Sequence, residues 1–371
     1  MAYSRQALIN SKRIAKRWPH PSTEIFLHHP IFFAQKKLDA WAKKACQIAD
    51  LLTNNKVYSP GIEALNKTLK TDTPDCFSVD FAIVETNGDL DIKLIEAQAF
   101  PSAMSLMLDL EDLYAPDSTL CQTSTHTRRK LVEDTITHGL PAHHLVMLDQ
   151  NIIRQGTADD FMSSLHIASP RSILDIYPYK RKWMHWCDNG VQSIKRCYHR
   201  SIFHTLNDDE QTLLLNLLKH KNISHFNHPA WYYKVDKASL SRISHDTLPK
   251  TFALDNAKEF DLNNMVLKHP NGFGGKEVFL SPSLEEVEQA PKNSILQERI
   301  EYAAFHPTLK SDNKLRVELR FMLLWNEQGY TPVTSLARAT YDGNLMRHKQ
   351  KQYPGEGYTC AMGYREDECS E

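Results

Sequence analysis

The stretch Met265-Val-Leu-Lys-His-Pro-Asn-Gly-Phe-Gly-Gly-Lys-Glu-Val-Phe-Leu280 restricts the fold more than any other part of the chain. An apolar strand ends in Lys268, a loop with Gly272, Gly274 and Gly275 follows, and residues 277–280 read as a second strand. Strand–loop–strand excludes a Walker P-loop and a Rossmann fingerprint, because both require a helix after the glycines. A glycine-rich hairpin lets backbone N–H groups approach phosphate oxygens, and a lysine on the adjoining strand adds a point charge. An ordinary hairpin with a surface lysine has the same pattern, so the loop alone leaves both readings open.

The residues downstream favour the first reading. Residues 294–300 form a short apolar strand carrying Gln297 and Glu298, a segment whose backbone suits a purine. In Leu315-Arg-Val-Glu-Leu-Arg-Phe321, the charged Arg316, Glu318 and Arg320 alternate with Val317, Leu319 and Phe321. A period of two puts the charges on one face of a strand and the apolar side chains on the other. Such a face is either a solvated edge or a cleft wall on which Glu318 holds a metal and an arginine neutralises phosphate. A further strand over residues 332–340 carries Arg338.

A second informative region lies far upstream. Residues 77–85 and 90–98 read as two strands around Asn87-Gly88, the strongest short hairpin signal. Glu96 and Gln98 are two apart and share a face, and Asp80 sits on the paired strand. Hard oxygen ligands of this kind suit Mg²⁺ together with phosphate oxygens. The alternative is a hairpin with an exposed acidic face.

Composition sets the outer limits. The 371 residues hold 44 Lys+Arg and 45 Asp+Glu, a net charge of −1 with His neutral, which argues against broad nucleic-acid coating. At ~150 residues per domain the length suggests two or three domains. No apolar run approaches the ~20 residues that cross a bilayer. The acid-free start, with Arg5, Lys12, Arg13, Lys16 and Arg17, reads as the basic face of a surface helix rather than a transit peptide. Seven cysteines without a CxxC pair favour a reducing compartment over a disulfide framework. His185, Cys187, Cys197 and His199 offer zinc-capable side chains, but their one-residue spacing is poor for a zinc turn.

Helical spacing covers residues 32–54, an apolar helix covers 103–113, and an acid-led, base-terminated helix covers 208–218. Short strands are expected at 145–149 and 172–177, with an extended run over 190–198 ending near Arg200. This alternation suggests an α/β unit in the middle of the chain. Trp231-Tyr-Tyr233 reads as core or hinge packing, and His28-His29 and His143-His144 as surface histidines. No Gly-x-Ser-x-Gly or cysteine nucleophile context occurs.

Taken in order, Lys237, Lys268 with its glycine loop, Gln297-Glu298 and Arg316/Glu318/Arg320 resemble the ATP-grasp family over about residues 227–344. That family normally ends with a metal-binding E-x-N strand, and none follows Arg338, where Asp342-Gly-Asn344 has a different shape. The upstream Leu94-Ile-Glu-Ala-Gln-Ala-Phe-Pro-Ser102 is similar instead to the E-x-N-x-x-x-P-[ST] segment of the circularly permuted branch, which resembles glutathionylspermidine synthetase and related amide ligases. The resemblance implies an α+β fold, a circularly permuted, glutathione-synthetase-like ATP-grasp with an α/β middle unit. Its expected divisions are residues 1–115 (helical segment and metal-bearing hairpin), 116–226 (middle unit) and 227–371 (nucleotide-binding region).

It also implies roles. Asp80, Glu96, Glu318 and Gln98, the last standing where the family has Asn, hold Mg²⁺. Lys237, Lys268, Gly272, Gly274, Gly275, Gln297 and Glu298 bind ATP. Arg320, Arg338 and Arg200, the last ending a strand like the branch's Tyr-x-Arg strand, act on phosphate or an acidic substrate. The implied activity is ATP- and Mg²⁺-dependent ligation of a small-molecule carboxylate to an amine through an acylphosphate. A small-molecule kinase and a non-catalytic nucleotide-binding protein are the alternatives. A cytoplasmic location is expected, with no nucleic-acid or membrane partner and with self-association left open.

Overall fold

The computed structural model describes residues 30–55, 62–101, 104–114, 118–149, 169–187, 190–254, 260–270, 272, 277–305, 314–341 and 357–364. Gly274 and Gly275, the Asp342-Gly-Asn344 tripeptide, Ser102, His28-His29 and the basic start of the chain lie outside the described residues.

Among the described residues, the largest sheet has six strands from both ends of the sequence. They are β1 (Ile31–Ala34), β2 (Cys76–Thr86), β3 (Asp89–Gln98), β17 (Arg316–Trp325), β18 (Tyr330–Thr340) and β19 (Gly357–Tyr364), in the order β1-β19-β18-β17-β2-β3. Neighbours are antiparallel except β1 and β19. Asn87 and Gly88 both take positive φ, 55° and 81°, as a two-residue turn between strands of right-handed twist demands.

Alternation along the strands gives this sheet two different faces. Phe77, Val79, Phe81 and Ile83 of β2 and Val317, Leu319, Phe321 and Leu323 of β17 all turn to one side. They pack there against Leu38, Trp41, Ala45, Ile48 and Leu52 of the helix Gln35–Asn54. Burial of each such side chain contributes roughly 1.5–3 kcal/mol, which fixes the strand register because a one-residue slip would expose the whole set. The other side is split along its length. One end is apolar, with Cys76, Met322, Leu324, Val333 and Leu336 in one buried cluster with residues of the helices Met104–Tyr114 and Thr125–Thr137. The other end carries Asp80, Glu318, Arg320 and Arg338.

The middle of the chain forms a four-stranded parallel sheet from β6 (Leu145–Leu148), β7 (Ser169–Arg171), β11 (Arg196–His199) and β12 (Ser224–Phe226), in the order β12-β11-β6-β7. The helix Asp208–Leu218 lies between β11 and β12 in sequence, as its patterning predicts, and an Asn207/Glu210 capping box starts it. A small antiparallel sheet comprises β8 (Ile176–Tyr179), β9 (Lys182–Cys187) and β10 (Gly190–Ser193), and β4 (Thr119–Leu120) with β5 (Thr123–Ser124) makes a two-stranded ribbon. A second four-stranded antiparallel sheet, in the order β13-β16-β14-β15, contains β13 (Thr251–Ala253), β14 (Met265–Lys268), β15 (Val278–Leu280) and β16 (Ile295–Glu298).

Three expectations shift. The helix expected over 32–54 starts only at Gln35, because Ile31–Ala34 pairs as a parallel edge strand with Ala361–Tyr364. Residues 172–177 begin as a 3₁₀ turn held by a Ser172/Asp175 capping box, and the strand starts at Ile176. The extended run over 190–198 breaks at Ile194-Lys195 into β10 and β11, which belong to different sheets. His185 and Cys187 thus lie on one sheet and Cys197 and His199 on another.

Candidate functional site

The register of the large sheet assembles a charged row. Glu96 on β3 lies opposite Asp80 on β2, Asp80 lies opposite Arg320 on β17, and Glu318, two residues from Arg320, lies opposite Arg338 on β18. Side chains directly opposite on antiparallel strands share a face and touch. The Arg320 guanidinium donates to both Asp80 oxygens, at 2.7 and 2.5 Å, a bidentate fork. Arg338 donates to one Glu318 oxygen, and the Tyr302 hydroxyl donates to the other at 3.1 Å. The Gln98 amide donates to Glu96 at 2.7 Å. Arg316, at the end of the row, donates to the Tyr341 carbonyl at 2.7 Å.

The row meets the second sheet at one contact. Between Asp80 and Phe81 the β2–β3 register shifts, so that Asp80 faces Glu96 but Phe81 faces Leu94. Ile95 is the extra residue of this bulge, and a bulged residue is left out of the ladder. Its carbonyl accepts from the Lys268 ammonium at 2.7 Å, and Gln297 holds the same ammonium at 2.7 Å from the neighbouring strand β16. Gln297 in turn donates to Thr251 at 3.2 Å. Lys237, which opens a 3₁₀ helix capped by Asp236, donates to the Gly272 carbonyl at 2.8 Å.

These contacts set the electrostatics. Burial works against ionisation of Glu96, but Lys237, Lys268, Arg320 and Arg338 together hold its carboxyl below the usual carboxylate range. Asp80 moves the other way: burial raises it, and the Arg320 fork recovers only part of that. Burial lowers Lys268 to about 8, against the pull of Glu96, and Lys237 adds like-charge repulsion. Two buried ammonium groups and two guanidiniums thus surround Glu96, the guanidiniums being paired with Asp80 and Glu318.

A shallow cleft, open to solvent, adjoins the cluster and is lined by Gln98, Phe100, Tyr232, Asp236, Lys237 and Gly272 among others. The Phe100 and Tyr232 rings meet edge-on with centroids 6.0 Å apart. Burial raises the Asp236 carboxyl to about 6, although Ser239 donates to it. Elsewhere, burial pushes the thiols of Cys46 and Cys121 up to about 12 and 11, which leaves neither a nucleophile.

Of the residues singled out by sequence, Asp80, Glu96, Gln98, Glu318, Arg320, Arg338, Lys237 and Lys268 come together, with Gly272 at their edge. Gln297 takes part differently from expectation: its backbone is committed to the strands on either side, and its side chain pins Lys268. Glu298 is exposed, and its N–H donates to the Lys250 carbonyl. Arg200 stands apart from the row, with its guanidinium bound to the Pro101 carbonyl and 5.9 Å from the Phe100 ring centroid. Gly274 and Gly275 lie outside the described residues. Tyr302 carries no motif that marks it in the sequence, whereas Tyr232 belongs to the Trp231-Tyr-Tyr233 run read there as core or hinge packing and lines the cleft here.

The donors on the row are oxygens, the chemistry that suits Mg²⁺. Among the described residues, however, no three His, Cys, Asp or Glu side chains converge as ligands of one ion. Arg320, Arg338, Tyr302 and Gln98 hold the carboxylates instead. The donor set fits the metal in kind and is engaged by other partners at rest.

No protein-family model matches the sequence, and no curated protein matches it significantly. Among solved structures, a glutathione synthetase-like effector from Globodera pallida, solved in its apo form, superposes with a TM-score of 0.57 at 11% identity, covering 97% of each chain. The likeness is one of fold: a mixed α+β chain of several sheets, similar over nearly its whole length to a glutathione synthetase-like protein.

Proposed function

We propose that the chain is an ATP- and Mg²⁺-dependent carboxylate–amine ligase on a circularly permuted ATP-grasp scaffold. One observation supports this above the others: the late lysine strand meets the early acidic hairpin where Lys268 bridges Ile95 and Gln297, and four cations surround Glu96.

In this reading Lys237 and Lys268 neutralise the triphosphate, and the loop that includes Gly272 closes over it. Arg320 and Arg338 face the γ-phosphate. Asp80, Glu96 and Glu318, with Gln98 as their neighbour, would hold Mg²⁺, which when bound supplies Lewis-acid neutralisation of charge on the phosphoryl oxygens. The acid substrate lies beside the Phe100–Tyr232 ring pair, in the cleft that Gln98, Asp236 and Lys237 also line. Its carboxylate oxygen attacks the γ-phosphorus, an O–P bond forms, the β–γ bridging bond breaks and ADP leaves. The amine then attacks the acyl carbon, a C–N bond forms, the C–O bond to phosphate breaks, and the nitrogen releases a proton. The protein contributes positioning and fixed charge, since little covalent work falls to side chains in phosphoryl transfer. Closing the loop keeps water from the acylphosphate.

The test is phosphate release measured over a panel of acids and amines. A ligase releases phosphate only when both partners are present, whereas a kinase phosphorylates a hydroxyl without any amine. Binding should first appear as a rise in melting temperature with Mg-ATP. A non-catalytic nucleotide-binding protein is the second reading, favoured by the arginines that occupy the carboxylates at rest. Nucleotide binding without turnover across the panel would select it. Glu96→Ala is expected to reduce turnover at least tenfold more than it reduces nucleotide affinity, because the metal matters most as charge develops. Normal turnover in that variant would remove the hairpin from the site.

A further inference from the structure

The resting site has its carboxylates in use. Arg320 forks onto Asp80, Arg338 and Tyr302 take the two oxygens of Glu318, and Gln98 binds Glu96. A hard divalent ion needs several such oxygens in near-octahedral array. No such array exists among the described residues. A triphosphate changes the competition, because guanidinium forks match phosphate as well as carboxylate.

Charge balance points the same way. The four cations Lys237, Lys268, Arg320 and Arg338 face the three carboxylates Asp80, Glu96 and Glu318, which leaves one net positive charge when all are ionised. A divalent ion alone would raise that excess to three in a half-buried site. A Mg-nucleotide, carrying two net negative charges, would bring it to minus one. The metal is therefore opposed alone and accepted with the nucleotide.

Tyr302 then has a definite task. It comes from the segment after β16, not from the sheet, and donates to the Glu318 oxygen that Arg338 leaves. When Arg338 turns to phosphate, this hydroxyl still orients Glu318. We propose that Arg320 and Arg338 mask the metal ligands until nucleotide phosphates draw them away, and that Tyr302 is a positioning residue that keeps Glu318 aimed during the exchange. This rests on the nucleotide reading given above.

The test titrates Mn²⁺ into the full chain, with and without a non-hydrolysable ATP analogue, and reads water-proton relaxation. Enhancement rises when Mn²⁺ sits on a macromolecule and stays low for Mn²⁺ on free nucleotide. The expected result is no enhancement up to millimolar Mn²⁺ alone and strong enhancement with analogue present. Tyr302→Phe should weaken Mn²⁺ in the ternary complex about tenfold while leaving analogue affinity in EDTA unchanged. Arg338→Gln should admit Mn²⁺ without nucleotide. Enhancement by Mn²⁺ alone on the unaltered chain overturns the masking, and so does analogue that binds without ever recruiting Mn²⁺. Equal loss of both affinities in Tyr302→Phe makes the tyrosine merely structural. Analogue that fails to bind under any condition sinks the nucleotide reading itself.

Discussion

Lys268 shows how much one side chain decides. It is buried, bound to a bulge carbonyl on one side and an amide oxygen on the other, and lowered to about 8. A lysine with a depressed pKa is charged below that value and neutral above it. In the free protein its pull on phosphate should therefore hold at pH 7 and fade as pH rises through about 8. Nucleotide affinity measured by calorimetry from pH 6.5 to 9.5 is expected to fall over that window. Lys268→Ala should cost about 2–4 kcal/mol at pH 7 and flatten the profile. The role of Lys268 as a charged strand end was legible in the sequence, and so was the alternation that puts Glu318 beside Arg320. The partners that hold them were not. Gln297 as the anchor of Lys268, and Tyr302 as the donor to Glu318, depend on how segments 29 and 16 residues away return to the site. Neither return has a local pattern.

At the scale of elements, the hairpin β2–β3 was the most legible piece, since Asn87-Gly88 and flanking apolar alternation specify it locally. Which strand would lie beside it was not legible. β17 comes from 240 positions away at the Asp80–Arg320 contact, and packing over the helix Gln35–Asn54 together with that fork holds it there. The other face depends on a buried ion pair. Arg128, on the helix Thr125–Thr137, binds Glu111, on the helix Met104–Tyr114, and the Val333 carbonyl at 2.8 Å. Glu111 also accepts from Thr334 at 2.6 Å and from the Ser335 N–H at 3.1 Å. Both helices are thereby fastened to β18. Arg128→Ala should destabilise the protein by about 3–5 kcal/mol in urea denaturation, because it strands a buried carboxylate. A hydrophobic pair of similar volume at both positions should recover most of that loss.

Across the whole molecule, stability should depend on pH through three histidines between β11 and the segment after β12. His199 Nε2 and His225 Nδ1 are 2.9 Å apart, so one must donate and the other accept. The Thr68 hydroxyl donates to the Leu65 carbonyl and so accepts from His228 Nε2, while His228 Nδ1 accepts from the Ala230 N–H. His228 must therefore be neutral, and so must whichever of His199 and His225 accepts. Burial lowers His225 and His228 to about 3 and His199 well below its ordinary value. The unfolded chain takes up these protons near pH 6.5, so the histidines' contribution to stability is full above that value and is lost as pH drops from about 6.5 toward 3. Each histidine adds up to about 1.4 kcal/mol per pH unit to the slope. Melting temperatures measured across this range should show it, and His225→Asn should remove about one proton from the slope.

The six-stranded sheet interleaves the two ends of the sequence, with β2 and β3 waiting beside a place that only β17 can fill. A nascent chain leaving the ribosome has its acidic hairpin outside the exit tunnel long before Arg320 has been synthesised. During that interval Asp80 has no guanidinium, and the phenylalanine face of β2 is covered on one side only. No fragment that stops short of β18 can assemble the charged row of Asp80, Glu318, Arg320 and Arg338.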